Sequence, residues 1–364
     1  MIIKEVCLEN FRNLKIDALE LDCGVNIFYG NNAQGKTNLL EAVYLLATGR
    51  SWRAQTDREL INFSKKEAHL KAYASNEPFN DVIEVHILKD AKKNILVNKV
   101  PIKKLGELYG LVHVVVFSPE DLSLIKSGPL ERRKFLDVEM CQMSNIYYYN
   151  LKKYYHVLKQ RNSLLKSAQI KPKEINSVKE TLPVWDEQLI LYGTQITKAR
   201  REFVEKLREN LTVIHKDISK GAEDIEIIYK PNVHEDIFLQ KLTKTQDKDI
   251  QTGTTGIGIH KDDLFFLLNG YDTRTYGSQG QQRSVCLSLR LSLTELIKKE
   301  KNVMPILLLD DVFSELDEGR QKYLLNAIGG IQTLITATGT EDILKKIKKA
   351  DKAFYVKNGE IELY

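Results

Sequence analysis

Eight consecutive residues, Gly30, Asn31, Asn32, Ala33, Gln34, Gly35, Lys36 and Thr37, form a complete G-x-x-x-x-G-K-T phosphate loop. The two glycines let backbone N–H groups turn inward around phosphate oxygens. Lys36 has the reach to meet the β- and γ-phosphates, and the Thr37 hydroxyl is a hard oxygen ligand for Mg²⁺. A second chemical pair stands near the other end of the chain. Asp310 and Asp311 close the apolar run Pro305-Ile306-Leu307-Leu308-Leu309. Asp310 suits a Mg²⁺ shell, and Asp311 suits polarising an attacking water. The chemistry these residues can do is binding and hydrolysis of a nucleoside triphosphate, with ATP and Mg²⁺ as the expected ligands.

Such residues work only if the backbone delivers them. Val25, Ile27 and Phe28 read as a strand entering the loop. Asn38 to Ala47 read as the helix leaving it, ending near Gly49, with its N-terminal dipole aimed at the anion. The run at 306–310 reads as a buried strand that delivers both aspartates at its C-terminal edge. Ser278-Gln279-Gly280-Gln281-Gln282-Arg283 opens an amphipathic helix, and Ser278 with Gln281 has capping-box spacing. A plain helix cap is one reading of that segment.

Between these motifs the character of the chain changes. Residues 2–30, 67–100 and 112–117 alternate like strands, and Ser118-Pro119 ends the last of them. From about 119 to 220 the pattern is helical. Trp185, Leu189, Tyr192, Ile196, Ala199, Phe203, Leu207, Leu211 and Ile214 recur at steps of three and four. An earlier helix, Asn145 to Ser167, faces this stripe across a Lys-rich linker at 170–178. The pair reads as a helical hairpin with a short coiled-coil seam, or else as a helix buried within a globular lobe. Strand character returns at Ile225, Ile227 and Tyr229 and at Leu264 to Leu268. A helix at 318–328, a strand at 333–337 and a hairpin near Asn358-Gly359 follow. The expected fold is therefore α/β: a P-loop head from residues 1–118 and 221–364, with mixed sheets and helices, and an inserted α-helical arm at 119–220.

Composition sets the frame. A chain of 364 residues with 43% apolar and 28% charged residues can bury a large core and hold two lobes. A net charge of +5 permits an anionic partner without requiring one. Four scattered cysteines with no C-x-x-C pair argue against a zinc site or disulfide framework and fit a reducing cytosol. No apolar run approaches the ~20 residues of a membrane span, and the first residues lack a signal-peptide core. A cytoplasmic protein without a membrane partner is expected.

The Ser278-Gln279-Gly280-Gln281-Gln282 segment, followed by an apolar Asp-Asp strand, resembles the signature and Walker B of ABC-type ATPases. Ser314-Glu315-Leu316-Asp317 resembles their D-loop. That resemblance implies an ATP-dependent homodimer, in which Ser278, Gln279 and Gly280 of one subunit cap the γ-phosphate held by the other. Gly35 and Ser278 stand 243 positions apart, much farther than in transport-type subunits, and the insertion is helical. This is similar to the SMC-like branch. No histidine follows Ile335-Thr336-Ala337-Thr338-Gly339-Thr340-Glu341, and Asp311 stands where glutamate is usual. Both departures suit slow hydrolysis used as a switch.

Four further segments resemble the RecF family. They are Leu8-Glu9-Asn10-Phe11-Arg12-Asn13, the stretch from Ser118-Pro119-Glu120-Asp121 through Gly128 to Asp137, Gly258-Ile259-His260-Lys261-Asp262-Asp263, and the block from Asp311 to Leu324. The resemblance implies a weak, DNA-stimulated ATPase acting at double-stranded or gapped DNA. RecR and RecO are the implied partners, guiding RecA, with links to replication and the SOS response. It also implies roles near the nucleotide for Arg12, for Arg50 or Arg53, and for Glu120 or Asp121 in place of the Q-loop glutamine, with Glu120 near the metal. Arg132 and Arg133 could equally be charged surface. DNA contact follows from the resemblance and not from composition. The basic runs at 65–66, 92–93, 103–104, 152–153, 198–201 and 345–349 each read singly as solvated faces. The alternative function is the ATPase subunit of a membrane transporter.

Overall fold

The computed structural model describes residues 1–76, 78–170, 173, 175–338 and 350–364. The basic run at 345–349, the positions after Thr338 that bear on the missing histidine, and part of the Lys-rich linker lie outside the described residues. The chain divides into two compact units. Met1–Leu122, Asp217–Gly221 and Arg283–Tyr364 form the first, and Ser123–Lys216 with Ala222–Gln282 the second. The sequence reading places all of 221–364 in the head, whereas residues 222–282 pack with the helices. The reason is visible in their contacts: the strands of this stretch present their apolar face to helical partners in the second unit.

The first unit holds two six-stranded sheets. One is antiparallel. It is built from β1 (Ile2–Phe11), β2 (Leu14–Glu20), β4 (Glu67–Asn76), β5 (Phe79–Leu88), β6 (Asn94–Val97) and β7 (Val100–Pro101), in the order β2-β1-β4-β5-β6-β7. Its strands alternate. Ala68, Leu70, Ala72 and Ala74 of β4 are buried while the residues between them are half-buried or exposed, as expected of a sheet with one wet face. The other sheet contains β3 (Val25–Gly30), β8 (Val114–Phe117), β12 (Ile306–Asp310), β13 (Thr333–Thr338), β14 (Lys352–Lys357) and β15 (Glu360–Leu363), in the order β15-β14-β3-β13-β12-β8. All its pairings are parallel except the closing β14–β15 hairpin. β12 is buried at every position, which explains why it reads as an uninterrupted apolar run.

Helix α1 (Lys36–Thr48) contacts strands of both sheets and buries nearly all of its length. It stops at Gly49, whose φ of +70° provides the left-handed cap the sequence predicts. Gln332 ties the sheets together. Its Oε1 accepts from Ile3 N at 2.7 Å, and its Nε2 donates to Ile3 O at 2.7 Å and Asp22 O at 2.8 Å. Helix α9 (Glu318–Ala327) follows β12, capped by Asp317, whose carboxylate accepts from Arg320 N at 2.9 Å.

The second unit gathers α3 (Pro129–Met143), α4 (Asn145–Ile170), α5 (Ile175–Ile218, its last two residues in the first unit), α6 (Phe238–Thr252) and α7 (Thr273–Tyr276). With them is a three-stranded antiparallel sheet of β9 (Ile225–Lys230), β10 (Asp263–Leu268) and β11 (Tyr271–Asp272). Helix α2 (Leu122–Lys126) leads in, and α8 (Gln279–Lys301) leads out. The hairpin of α4 and α5 exists, but α5 is 44 residues long and begins inside the expected linker. It runs through Pro183 because Val178 and Leu182 pack with Leu165, Ala168 and Ile250, a cluster contributed by three helices. Arg161, fully buried, donates to Asp186 of α5 at 2.6 Å, to Asp249 of α6 at 2.7 Å and to Thr255 at 2.9 Å. The long helix is therefore built into a lobe and not only paired along a two-helix seam.

The segments resembling family signatures meet inside this lobe. Arg132, 5% exposed, grips Asp263 in a two-pronged pair at 2.7 and 3.0 Å, and Arg133 donates to the Asp262 carbonyl at 2.8 Å. Arg132 is thus a buried tie and not charged surface. Within the basic run at 198–201, Arg200 is wholly buried, whereas Lys198 is exposed and the Arg201 side chain is 43% exposed.

Candidate nucleotide-binding site

The phosphate loop joins β3 to α1 within the first unit. Gly35 takes φ +116° at the helix N-terminus, and a Cβ there would stand 2.8 Å from Leu14 Cδ2, so glycine is required. Asn31, Asn32 and Ala33 form the exposed rim, with Ala33 at φ +62°. Two turns brace the loop from outside. Asn13 Nδ2 donates to the Gln34 carbonyl at 3.1 Å, and Asn13 Oδ1 accepts from Asn38 Nδ2 at 2.8 Å. From the β14–β15 turn, Asn358 N donates to Gln34 Oε1 at 2.7 Å and Gly359 N to the Gln34 carbonyl at 3.0 Å. Gly359 has φ +84°, and a Cβ there would lie 1.9 Å from the Asn13 carbonyl oxygen. Gly359→Ala should cost about 1–3 kcal/mol, seen as a lower urea midpoint, and should weaken nucleotide affinity by displacing Gln34. An unchanged midpoint and affinity would show that the turn does not brace the loop.

Inside the cradle, Lys36 Nζ donates to the carbonyls of Gly30 at 2.8 Å and Asn31 at 2.7 Å. Burial pushes this ammonium below its ordinary pKa, and the carboxylates of Asp311 and Asp310 oppose the shift. Thr37 Oγ1 donates to Asp310 Oδ1 at 2.7 Å, bringing together the two residues expected at a metal. Asp310 is 5% exposed, and its pKa is raised, chiefly by burial; the hydroxyls of Thr336 and Thr37 oppose this, Glu120 adds to it and Arg53 opposes it. Thr336 on the neighbouring strand donates to Asp310 Oδ1 at 2.7 Å and accepts from Asp311 N at 2.9 Å. Asp311 itself sits in the left-handed region at φ +51°, ψ +24°, which aspartate tolerates better than most residues. Thr338 Oγ1 approaches its Oδ1 at 3.3 Å.

The remaining expected residues sort clearly. Asp121 is committed to structure: Arg290 holds it at 2.7 and 3.3 Å, and it accepts from Ser118 N at 3.1 Å. Glu120 is exposed and close enough to raise the Asp310 pKa. Arg12, at φ +52°, is held by the buried Glu41 at 3.0 and 3.1 Å. Its guanidinium is thus fixed on α1. Arg53 reaches Asn38 Oδ1 at 3.3 Å and acts on Asp310, while Arg50 is exposed and its carbonyl accepts from Thr48 Oγ1 at 3.0 Å. Of the two arginines, Arg53 faces the loop. Ser278, Gln279 and Gly280 fall in the second unit. There Ser278 N donates to Gln281 Oε1 at 2.8 Å and Ser278 Oγ accepts from Gln281 N at 3.2 Å, the capping box the spacing predicts. Ser278 and Gln279 are exposed, and the serine oxygen, used as acceptor, leaves its proton for an outside anion.

Thr336, Glu41 and Arg290 escape the sequence reading. Glu41 carries a signal, a lone carboxylate in an apolar helix. Thr336 carries none until the strand register places it opposite Asp310.

Hydroxyl and carboxylate oxygens, a lysine cradle and a helix N-terminus make a site able to hold a nucleoside triphosphate with Mg²⁺. Known proteins agree with this geometry. The family described as RecF/RecN/SMC N terminal domain matches residues 2–362. A protein of Agathobacter rectalis named DNA replication and repair protein RecF is 46% identical over 363 residues, covering 100% of this chain and 99% of its own. A protein of Clostridium tetani with the same name is 44% identical over 369 residues, covering 99% of each chain. Among solved structures, the recombination mediator protein RecF with ATP, of the RecFOR pathway, superposes with a TM-score of 0.91 at 38% identity, covering 100% of this chain and 97% of that one. An Smc head bound to the C-winged helix domain of ScpA gives a TM-score of 0.59 at 16% identity over 100% of this chain and 97% of that one, which speaks for the fold alone. The ABC-type ATPase head is therefore the fold, and these matches favour the repair reading over the transporter one. With this agreement over its whole length, the chain belongs to the RecF family.

Proposed function

We propose that the protein is an ATP-gated, DNA-binding clamp of recombinational repair, with slow ATP hydrolysis as its release switch. The Thr37–Asp310 pair at 2.7 Å behind a complete phosphate loop carries the reading, in a chain of this family. Thr37 and Asp310, with Glu120 nearby, would hold Mg²⁺. When bound, the ion neutralises phosphate charge and orients the γ-phosphate for attack. Lys36 and the backbone from Gly30 to Asn38 bind the phosphates. Asp311 orients water, and aspartate, shorter than glutamate, does so weakly. Arg53 contributes positive charge at the loop.

Two copies close on each other when ATP is bound. Ser278, Gln279 and Gly280 of each complete the other's site with a serine proton and a helix N-terminus. Closure creates affinity for double-stranded or gapped DNA, dominated by phosphate contact and therefore salt-sensitive. The RecFOR context of the related structure supports RecR and RecO as partners that help load RecA. Such work belongs in the bacterial cytoplasm; among the described residues, no helix is long and apolar enough to cross a membrane.

The test is molecular mass by light scattering, with and without ATP and Mg²⁺. Wild type should dimerise only with ATP, Asp311→Asn should stay dimeric with ATP, and Ser278→Arg should bind ATP yet stay monomeric. Mass indifferent to ATP would remove the clamp.

A further inference from the structure

His69 of β4 and His86 of β5 stand directly opposite each other in the antiparallel register, and Glu84 lies two residues before His86. All three side chains therefore leave the same face of the sheet, the face opposite the buried row of Ala68, Leu70 and Ala72. The imidazole centroids are 4.0 Å apart with planes inclined at 31°. Glu84 Oε2 lies 3.6 Å from His69 Nε2 and 3.8 Å from His86 Nε2, and one donor atom from each residue falls within 4.8 Å of the others. A tetrahedral zinc ion with bonds of about 2.0–2.1 Å sets its donors about 3.3–3.4 Å apart, so small side-chain rotations suffice. His69 Nε2 is itself buried and, among the described residues, has no partner within hydrogen-bond distance, with Glu84 Oε2 at 3.6 Å, while 36% of the side chain stays exposed. A ring nitrogen placed this way is desolvated, aimed at a carboxylate and available to a metal.

We propose that His69, Glu84 and His86 bind a transition-metal dication of the zinc class and so clip β4 to β5. Two imidazoles and one carboxylate select such an ion over Mg²⁺, which takes oxygen ligands. Three protein ligands leave a fourth position for water or for Glu9, which lies opposite His69 in the register of β1. Lys71 opposes Glu84, but its ammonium rests over the Tyr73 ring at 4.7 Å. The site shares no residue with the nucleotide site and does not depend on the function proposed above. Cysteine spacing gives no hint of it because cysteine is not among its ligands.

The experiment is titration of the metal-stripped, nucleotide-free chain with Co²⁺, read by visible ligand-field bands, and then displacement by Zn²⁺. One equivalent should bind with a four-coordinate spectrum. His69→Gln and His86→Gln should each weaken affinity by more than the roughly 10–100-fold that loss of an outer-shell partner costs. ATP affinity, which uses neither histidine, should stay unchanged and so report that both variants are folded. No binding by wild type would overturn the proposal. So would binding that survives in the double variant, or that is lost instead in Cys7→Ser, which removes a half-buried thiol of β1 opposite Lys71.

Discussion

Lys36→Met should abolish ATP binding and, with it, dimerisation and DNA affinity, while the fold survives. The lysine is 6% exposed, and methionine matches its length without its charge. Its ammonium holds the carbonyls of Gly30 and Asn31 at 2.8 and 2.7 Å, inside the turn where phosphate oxygens would lie. Two charge-assisted hydrogen bonds to phosphate at about 1.5–3 kcal/mol each amount to a loss of roughly 10²–10⁴ in affinity. The structural cost is smaller, about 1–3 kcal/mol, because removing a cation that burial already disfavours offsets part of the loss of its partners. Fluorescent-nucleotide titration, light scattering with ATP, and DNA anisotropy should therefore fail together while the urea transition stays cooperative. Retained ATP affinity would overturn the site. Lost ATP affinity with retained DNA affinity would overturn the gating but not the site.

The parts of this molecule legible in the sequence are those whose chemistry is local. The phosphate loop, the αL cap at Gly49, the Ser278–Gln281 box and the buried strand ending at Asp310 all depend on neighbours a few residues away. The parts that were not legible depend on register and long-range packing. Thr336 matters because the parallel pairing sets it beside Asp310. Asp121 is paired with Arg290, 169 positions away, a contact that no local pattern announces. The start of α5 is not legible because a lysine-rich stretch reads as a linker, while the burial of Val178 and Leu182 against two other helices extends the helix. Residues 222–282 read as head because their alternating apolar pattern is that of strands. Their pairing partners lie among themselves, and their ionic partners lie on α3, α4 and α5.

That ionic core carries the second large effect. Arg200→Met should destabilise the second unit by about 3–5 kcal/mol, whereas Arg201→Ala, its neighbour in sequence, should cost about 0–1 kcal/mol. Arg200 has no exposed side-chain surface, and it donates to Tyr147 Oη at 3.0 Å, Ile259 O at 3.0 Å, Asp262 at 2.8 Å and Asp137 at 2.7 Å. Those carboxylates come from two separate segments of the family pattern, 128–137 and 258–263. Removing the guanidinium leaves Asp262, 1% exposed, with Asn232 N and the Tyr229 hydroxyl but no cation. Arg201, by contrast, has a 43% exposed side chain and pairs with Glu235 near the surface. Arg200→Lys should recover part of the loss, because a point charge cannot span the fork of acceptors. Urea unfolding of the three variants separates a structural role from a DNA-contact role. If Arg200→Met kept wild-type stability and lost only DNA affinity, the structural role of Arg200 would be overturned in favour of phosphate contact. If stability falls in the order given, Arg200 and the carboxylates of segments 128–137 and 258–263 act by holding one lobe together.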